Sequence, residues 1–168
     1  MATRDNIIIF EHPENNRMSL CIPGFDDRAR VIVDDSEFLD WVREKDVHQK
    51  FGVESHLVLR SDFNSDPNMD RYFRNAWHCG VSGERTVNMD ECRQIHLAEI
   101  RRVRNLELAA KDITFMRAVE AGDTDAQATI ATEKQVLRDI PATFDITTDV
   151  DTPEKLKAKW PSELPARE

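Results

Sequence analysis

Four side chains in the middle of the chain are of the types that bind soft metal ions: His78 beside Cys79, then Cys92 and His96 four residues apart. Thiolate sulfur and imidazole nitrogen are zinc ligands, and residues four apart share one face of a helix. The set lacks the CxxC pair that anchors most structural zinc sites. Cys79, Cys92 and His96 therefore stand as weak metal candidates, and no metal or other cofactor is expected. Asp26-Asp27, Asp34-Asp35 and Asp149 with Asp151 are paired acids of the kind that hold divalent cations or exchange protons. No EF-hand loop surrounds them, and in a chain with 32 acidic residues such pairs read as helix caps and solvated turns. There is no GxSxG, P-loop or GxGxxG, and five glycines leave little material for loops that cradle phosphate. These residue types predict a protein that is not an enzyme.

What remains is chemistry of contact. Asp70 to Trp77 packs Tyr72, Phe73 and Trp77 among Arg71 and Arg74, residue types enriched in binding hot spots. At that place in the chain Phe73 and Trp77 read as structural anchors of a linker. Arg101, Arg102 and Arg104 form a basic run, with Glu99 and Glu107 close enough to pair with it. The formal net charge of −9 argues against a nucleic-acid partner. An odd number of cysteines, three, predicts reduced thiols rather than a disulfide framework. No apolar run approaches the ~18 residues that a membrane span needs. Ile7 to Phe10 is too short for a signal-peptide core. The expectation is a soluble cytoplasmic protein with no membrane partner.

The elements that position these residues follow from periodicity and turn chemistry. Asn6 to Glu11 and Met18 to Ile22, joined by a turn with Asn15 and Asn16, predict a β-hairpin. Arg30 to Val33 offers a further strand. Asp34-Asp35-Ser36 caps a helix running to about Val47, and Ser55 to Arg60 alternates as another strand. Ser61 to Asn68 reads as a turn-rich break. The fold class is thus α+β: a small N-terminal antiparallel β-sheet with one helix (residues 1–69), an aromatic linker (70–87), a C-terminal antiparallel helical hairpin with a short terminal helix (88–161), and a tail (162–168).

Asn88 and Glu91 form a capping box opening the long helix of that hairpin, and Gly122 ends it. Thr124 with Gln127 opens a second helix that stops before Pro141, and Thr152-Pro153 starts the last. Along the long helix Ile100, Val103, Leu106, Ala110, Ile113, Met116 and Val119 recur at intervals of three or four. The first helix outruns the second, so part of this stripe lacks a partner within the hairpin. Either the N-terminal sheet covers it or another chain does, a second copy included. The expected contact surface is Ile100, Val103, Leu106 and Ile113, with Arg138 and Asp139 at the hairpin's end.

The same region carries a resemblance. Asp70-Arg71, Phe73-Arg74 and Ala76-Trp77 are followed by Arg102 and Arg104, Asp112, and Met116-Arg117-Ala118. Then come Glu120 to Thr124, Lys134 to Pro141, Pro153 to Leu156, and Trp160-Pro161. From Asp70 to Pro161 this pattern resembles bacteriophage tail and tail-fibre assembly chaperones. It departs from them at Asp112-Ile113-Thr114, where that pattern has aspartate, tryptophan and threonine. The resemblance implies a protein without catalytic activity that binds a tail or tail-fibre protein, in the host cytoplasm or retained in the virion tail. The alternatives are a structural tail or baseplate component and a metal-binding regulator.

Overall fold

A computed structural model describes residues 3–24, 32 and 34–167. The chain divides into two compact units, Met1–Cys92 and Arg93–Glu168, with the boundary inside the long helix. The sequence-predicted architecture is present: a small antiparallel sheet, then long helices forming a hairpin. Of the strand expected at Arg30 to Val33, only residue 32 lies within the described residues, and the Asp26-Asp27 pair lies outside them.

In the first unit, β1 (Asn6–Glu11) is the middle strand of a three-stranded sheet, antiparallel to β2 (Met18–Cys21) and β3 (Ser55–Leu59). Asn16 closes the β1–β2 turn at φ 53, a left-handed conformation that asparagine tolerates. Successive strand residues point to opposite faces, so an unbroken apolar run needs cover on both. Ile8 and Phe10 pack with Phe38, Val42 and Val47, whereas Ile7 and Ile9 pack with Phe63, Met69 and Trp77. The first cover comes from α1 (Asp35–Val42), which continues through a π-helical stretch (Arg43–His48) into α2 (Gln49–Phe51). That run therefore passes Val47 and ends at Gly52, which sits at φ 69.

The second cover comes from segments read in the sequence as break and linker. They form α3 (Arg60–Ser65), two 3-10 turns (Pro67–Met69 and Arg71–Ala76), and a two-stranded sheet of β4 (Trp77–Cys79) and β5 (Arg85–Val87). Phe73 and Trp77 are buried, and Trp77 meets Phe63 edge-on at 5.3 Å. Residues 70–87 thus belong to the packed first unit.

The long helix α4 (Met89–Glu120) begins at Asn88, whose Oδ1 accepts from the backbone N–H of Asp90 and Glu91. The box does not close. The Asn88 N–H donates to the Ala76 carbonyl, and the Glu91 carboxylate goes to His78 instead, 3.2 Å away. At the far end Gly122 is left-handed, with Gly122 N–H on Val119 O and Asp123 N–H on Ala118 O. This is a Schellman ending. Asp123, not Thr124, then caps α5 (Thr124–Thr143) by accepting from Ala126 N–H. Gln127 uses its side chain on the Ala118 carbonyl, which leaves it no reach back to the cap.

α5 pairs with α4 in reversed order: Gln127 with Ala118, Glu133 with Lys111, Ile140 with Ile100. It does not stop before Pro141. Proline forfeits one N–H but keeps a helical φ, and the Phe144 N–H still reaches Ile140 O. The last helix, α6 (Pro153–Ala158), has the expected Thr152 cap and Pro153 in its first turn. Among the described residues no helix is long and apolar enough to cross a membrane.

Candidate functional site: the outer face of the long helix

The three weak metal candidates, Cys79, Cys92 and His96, are engaged elsewhere. His96 is buried, donates from Nε2 to the Lys159 carbonyl at 2.7 Å, and meets Trp160 edge-on. Burial pushes its pKa down from 6.5, only partly opposed by that hydrogen bond. Cys92 is fully buried, and Cys79 contacts the Gly80 carbonyl. Cys79 lines a cleft of about 240 Å³ with His56. Burial, helped by Glu11 and Glu84, holds its thiol above the usual range, the reverse of an activated thiolate. Burial likewise pushes Cys21 up. Among the described residues no group of three or more His, Cys, Asp or Glu side chains could hold a metal ion.

The acids and arginines serve local structure. Asp34 caps α1, Asp35 pairs with Arg4, and Asp151 pairs with Lys155. Arg102 forks onto Glu99 with two 2.8 Å bonds, and this pairing holds the Glu99 carboxyl below its ordinary value. Arg104 bonds Asn105.

The stripe on α4 is where sequence and structure part. Ile100 is 0% exposed, at the centre of a cluster with Leu137, Ile140 and Leu164, so it is core and not contact surface. Val103 is half-buried against the same cluster. Leu106 and Ile113 are each 58% exposed, and Met116, Val119, Ala109 and Ala110 are exposed as well. The reason is geometric. The sequence pattern steps mostly by threes, whereas the helix turns every ~3.6 residues, so each step of three falls back about 60°. The stripe therefore begins on the packed side at Ile100 and has swung round by about 120°, onto the open side, by Leu106.

The inward face of distal α4 is made instead by Leu108, Lys111, Phe115 and Ala118, which are buried or half-buried. Lys111 reaches Glu133 at 2.7 Å, while Lys134 lies over the Phe115 ring and pairs with Asp112. Helix α4 thus carries apolar side chains on two opposite faces, one packed and one open.

At the N-terminal end of the open face lies a cleft of about 360 Å³ lined by Glu99, Arg102, Val103, Leu106, Trp160 and Arg167. Trp160 is held there by its indole N–H on Pro165 O and by the Arg167 guanidinium over its ring. Periodicity along α4 gives no sign of Trp160; the cleft it walls carries two glutamates, Glu99 and Glu107, beside its two arginines, so its rim is mixed in charge. Arg138 and Asp139 are exposed on α5, where Asp139 accepts from Gln135. No known protein family, no curated protein and no solved structure matches this chain.

Proposed function

We propose that this protein is a phage tail or tail-fibre assembly chaperone that works by protein–protein binding in the cytoplasm of the infected bacterium, without catalysis. The observation that carries the reading is the open apolar face of α4 around Leu106, Ile113 and Met116. Contiguous apolar patches on a folded domain mark interaction surfaces. Fibre and tail subunits present apolar seams and open strand edges before they assemble, and a helix face of this kind can cover such a seam. The net charge of −9 keeps the covered complex apart from its neighbours. The resemblance over residues 70–161 supplies the identity of the client.

Ile113 is the position that separates binding from folding, because Val103 packs against the core. Ile113→Asp leaves the protein folded, as judged by its circular dichroism and unfolding temperature, and abolishes co-purification of the tail or fibre protein from infected cells. Wild-type behaviour of this variant in that experiment overturns the reading. Mass spectrometry of purified particles against lysate then separates a transient chaperone, absent from particles, from a structural tail component present at a fixed ratio.

A further inference from the structure

The open face of α4 has a symmetry that a client contact alone does not call for. From a centre between Ala109 and Ala110, residue types repeat outward in both directions: Leu106 mirrors Ile113, Arg102 mirrors Arg117, and Glu99 mirrors Glu120. At about 100° per residue these positions all fall within roughly 50° of one line along the helix. That line lies opposite the packed face of Leu108, Phe115 and Ala118. We infer that this face is a two-fold interface in which a second copy of the chain lies antiparallel on the first. The inference uses the same face as the reading above and does not depend on which client the protein has.

Charge placement supports a second copy as the occupant. In an antiparallel two-fold pair, residues displaced to the same side of the line come together. Glu99 and Arg117 lie about 30° to one side, and Arg102 and Glu120 about 30° to the other. Glu99 of one copy therefore meets Arg117 of the second, and Arg102 meets Glu120, each offset by ~4.5 Å along the axis, within reach of these side chains. The like-charged mirror pairs fall on opposite sides of the seam. A parallel pair would instead join Glu99 to Arg102 and Arg117 to Glu120. Reversing Glu99 and Arg117 together separates the two directions, because it makes each end of a parallel pair like-charged. In the middle, Leu106 faces Ile113, while Ala109 and Ala110 let the axes approach to the lower end of the usual ~8–10 Å. The Glu99–Arg102 fork already present in one chain preorders half of each end cluster.

Sedimentation equilibrium on the purified full-length protein tests this without any client. The expected result is a monomer–dimer equilibrium. Ile113→Asp weakens it by on the order of a hundredfold, since an isologous interface counts each substitution twice. Arg117→Glu weakens it by about tenfold at low salt, and less at high salt, where exposed pairs are screened. Adding Glu99→Lys to Arg117→Glu restores it, because one end of the face is then wholly basic and the other wholly acidic. These charge changes lie on exposed or half-exposed positions, so they read the interface even if Ile113→Asp were to unfold. A wild-type protein that stays monomeric assigns the face to a different protein, which overturns the two-copy interface and leaves the client reading intact. A dimer that Arg117→Glu does not weaken, or that the double variant does not restore, overturns it equally.

Discussion

Strand β1 and the distal half of α4 pose the same problem in sequence: each is apolar on two opposite sides. Their outcomes differ. Ile8 and Phe10 find cover from α1 and the π-helical stretch, Ile7 and Ile9 from residues 60–79, and none of the four is left open. In α4 one side closes against α5, whereas Leu106, Ile113 and Met116 stay open. Apolar side chains specify that burial must occur; they do not specify within which molecule. At ~1.5–3 kcal/mol per large apolar side chain transferred from water, β1 contributes its share to folding. The open face of α4 holds the same kind of driving force in reserve for association.

The comparison breaks first if the two faces cost the same to truncate. Ile9→Ala removes a fully buried side chain from the middle strand and is expected to destabilise the folded protein by ~2–5 kcal/mol. Leu106→Ala, at a 58% exposed position, is expected to stay within ~0.5 kcal/mol for the monomer. Urea unfolding of both variants at concentrations low enough to exclude association measures the difference. Equal losses would mean that the outer face of α4 is already covered within the chain.

How legible this was in the sequence depended on what hid each face. The unbroken run from Ile7 to Phe10 announces a strand, but the sequence offers only one cover for it, because Ser61 to Asn68 reads as a turn-rich break. Its Phe63 is flanked by Asp62 and Asn64, so one buried ring sits among turn-forming residues. On α4 the packed seam was masked by Lys111, which faces α5 with its stem and places its ammonium on Glu133. Hydropathy counts such a residue as surface, so the periodicity followed the larger side chains at Leu106, Ile113 and Met116 around to the wrong side. Ile100 was read as contact surface for the same reason. The hairpin turn was plain, since a left-handed Gly122 between two helices has few other readings; only its cap moved, from Thr124 to Asp123.

That turn sharpens the comparison, because it joins α4 to α5 in the register that their contacts at Lys111–Glu133 and Ile100–Ile140 share. Gly122 sits at φ 67 with nothing within 4 Å of where a Cβ would be. Gly122→Ala therefore meets no clash, and its cost is purely that of placing an L-residue in the left-handed region, ~1–2 kcal/mol. Thermal unfolding measures it. A larger loss would point to steric contact at the turn, and no loss would mean that the turn rearranges and the register with it.

The smallest effect concerns the one buried imidazole in the described core. His96 gives its Nε2 proton to the Lys159 carbonyl; burial, with Arg167 adding to it, lowers its pKa below 6.5 against the opposing pull of that hydrogen bond and of Glu99. A group whose folded-state pKa lies below its unfolded value takes up its proton first in the unfolded chain. Stability linked to His96 is then fully present above pH 6.5, and it declines as the pH falls through 6.5 toward the folded-state value. His96→Gln removes that titration while offering an amide donor to the same carbonyl. The unfolding temperature of the wild type should therefore fall more steeply than that of the variant between neutral and mildly acidic pH. Parallel curves would show that protonation of His96 is not linked to folding. Because this contact sits on the packed side of the helix, a pH-dependent loss there should leave Leu106 and Ile113 as exposed as before, so folding and association would respond to acid separately.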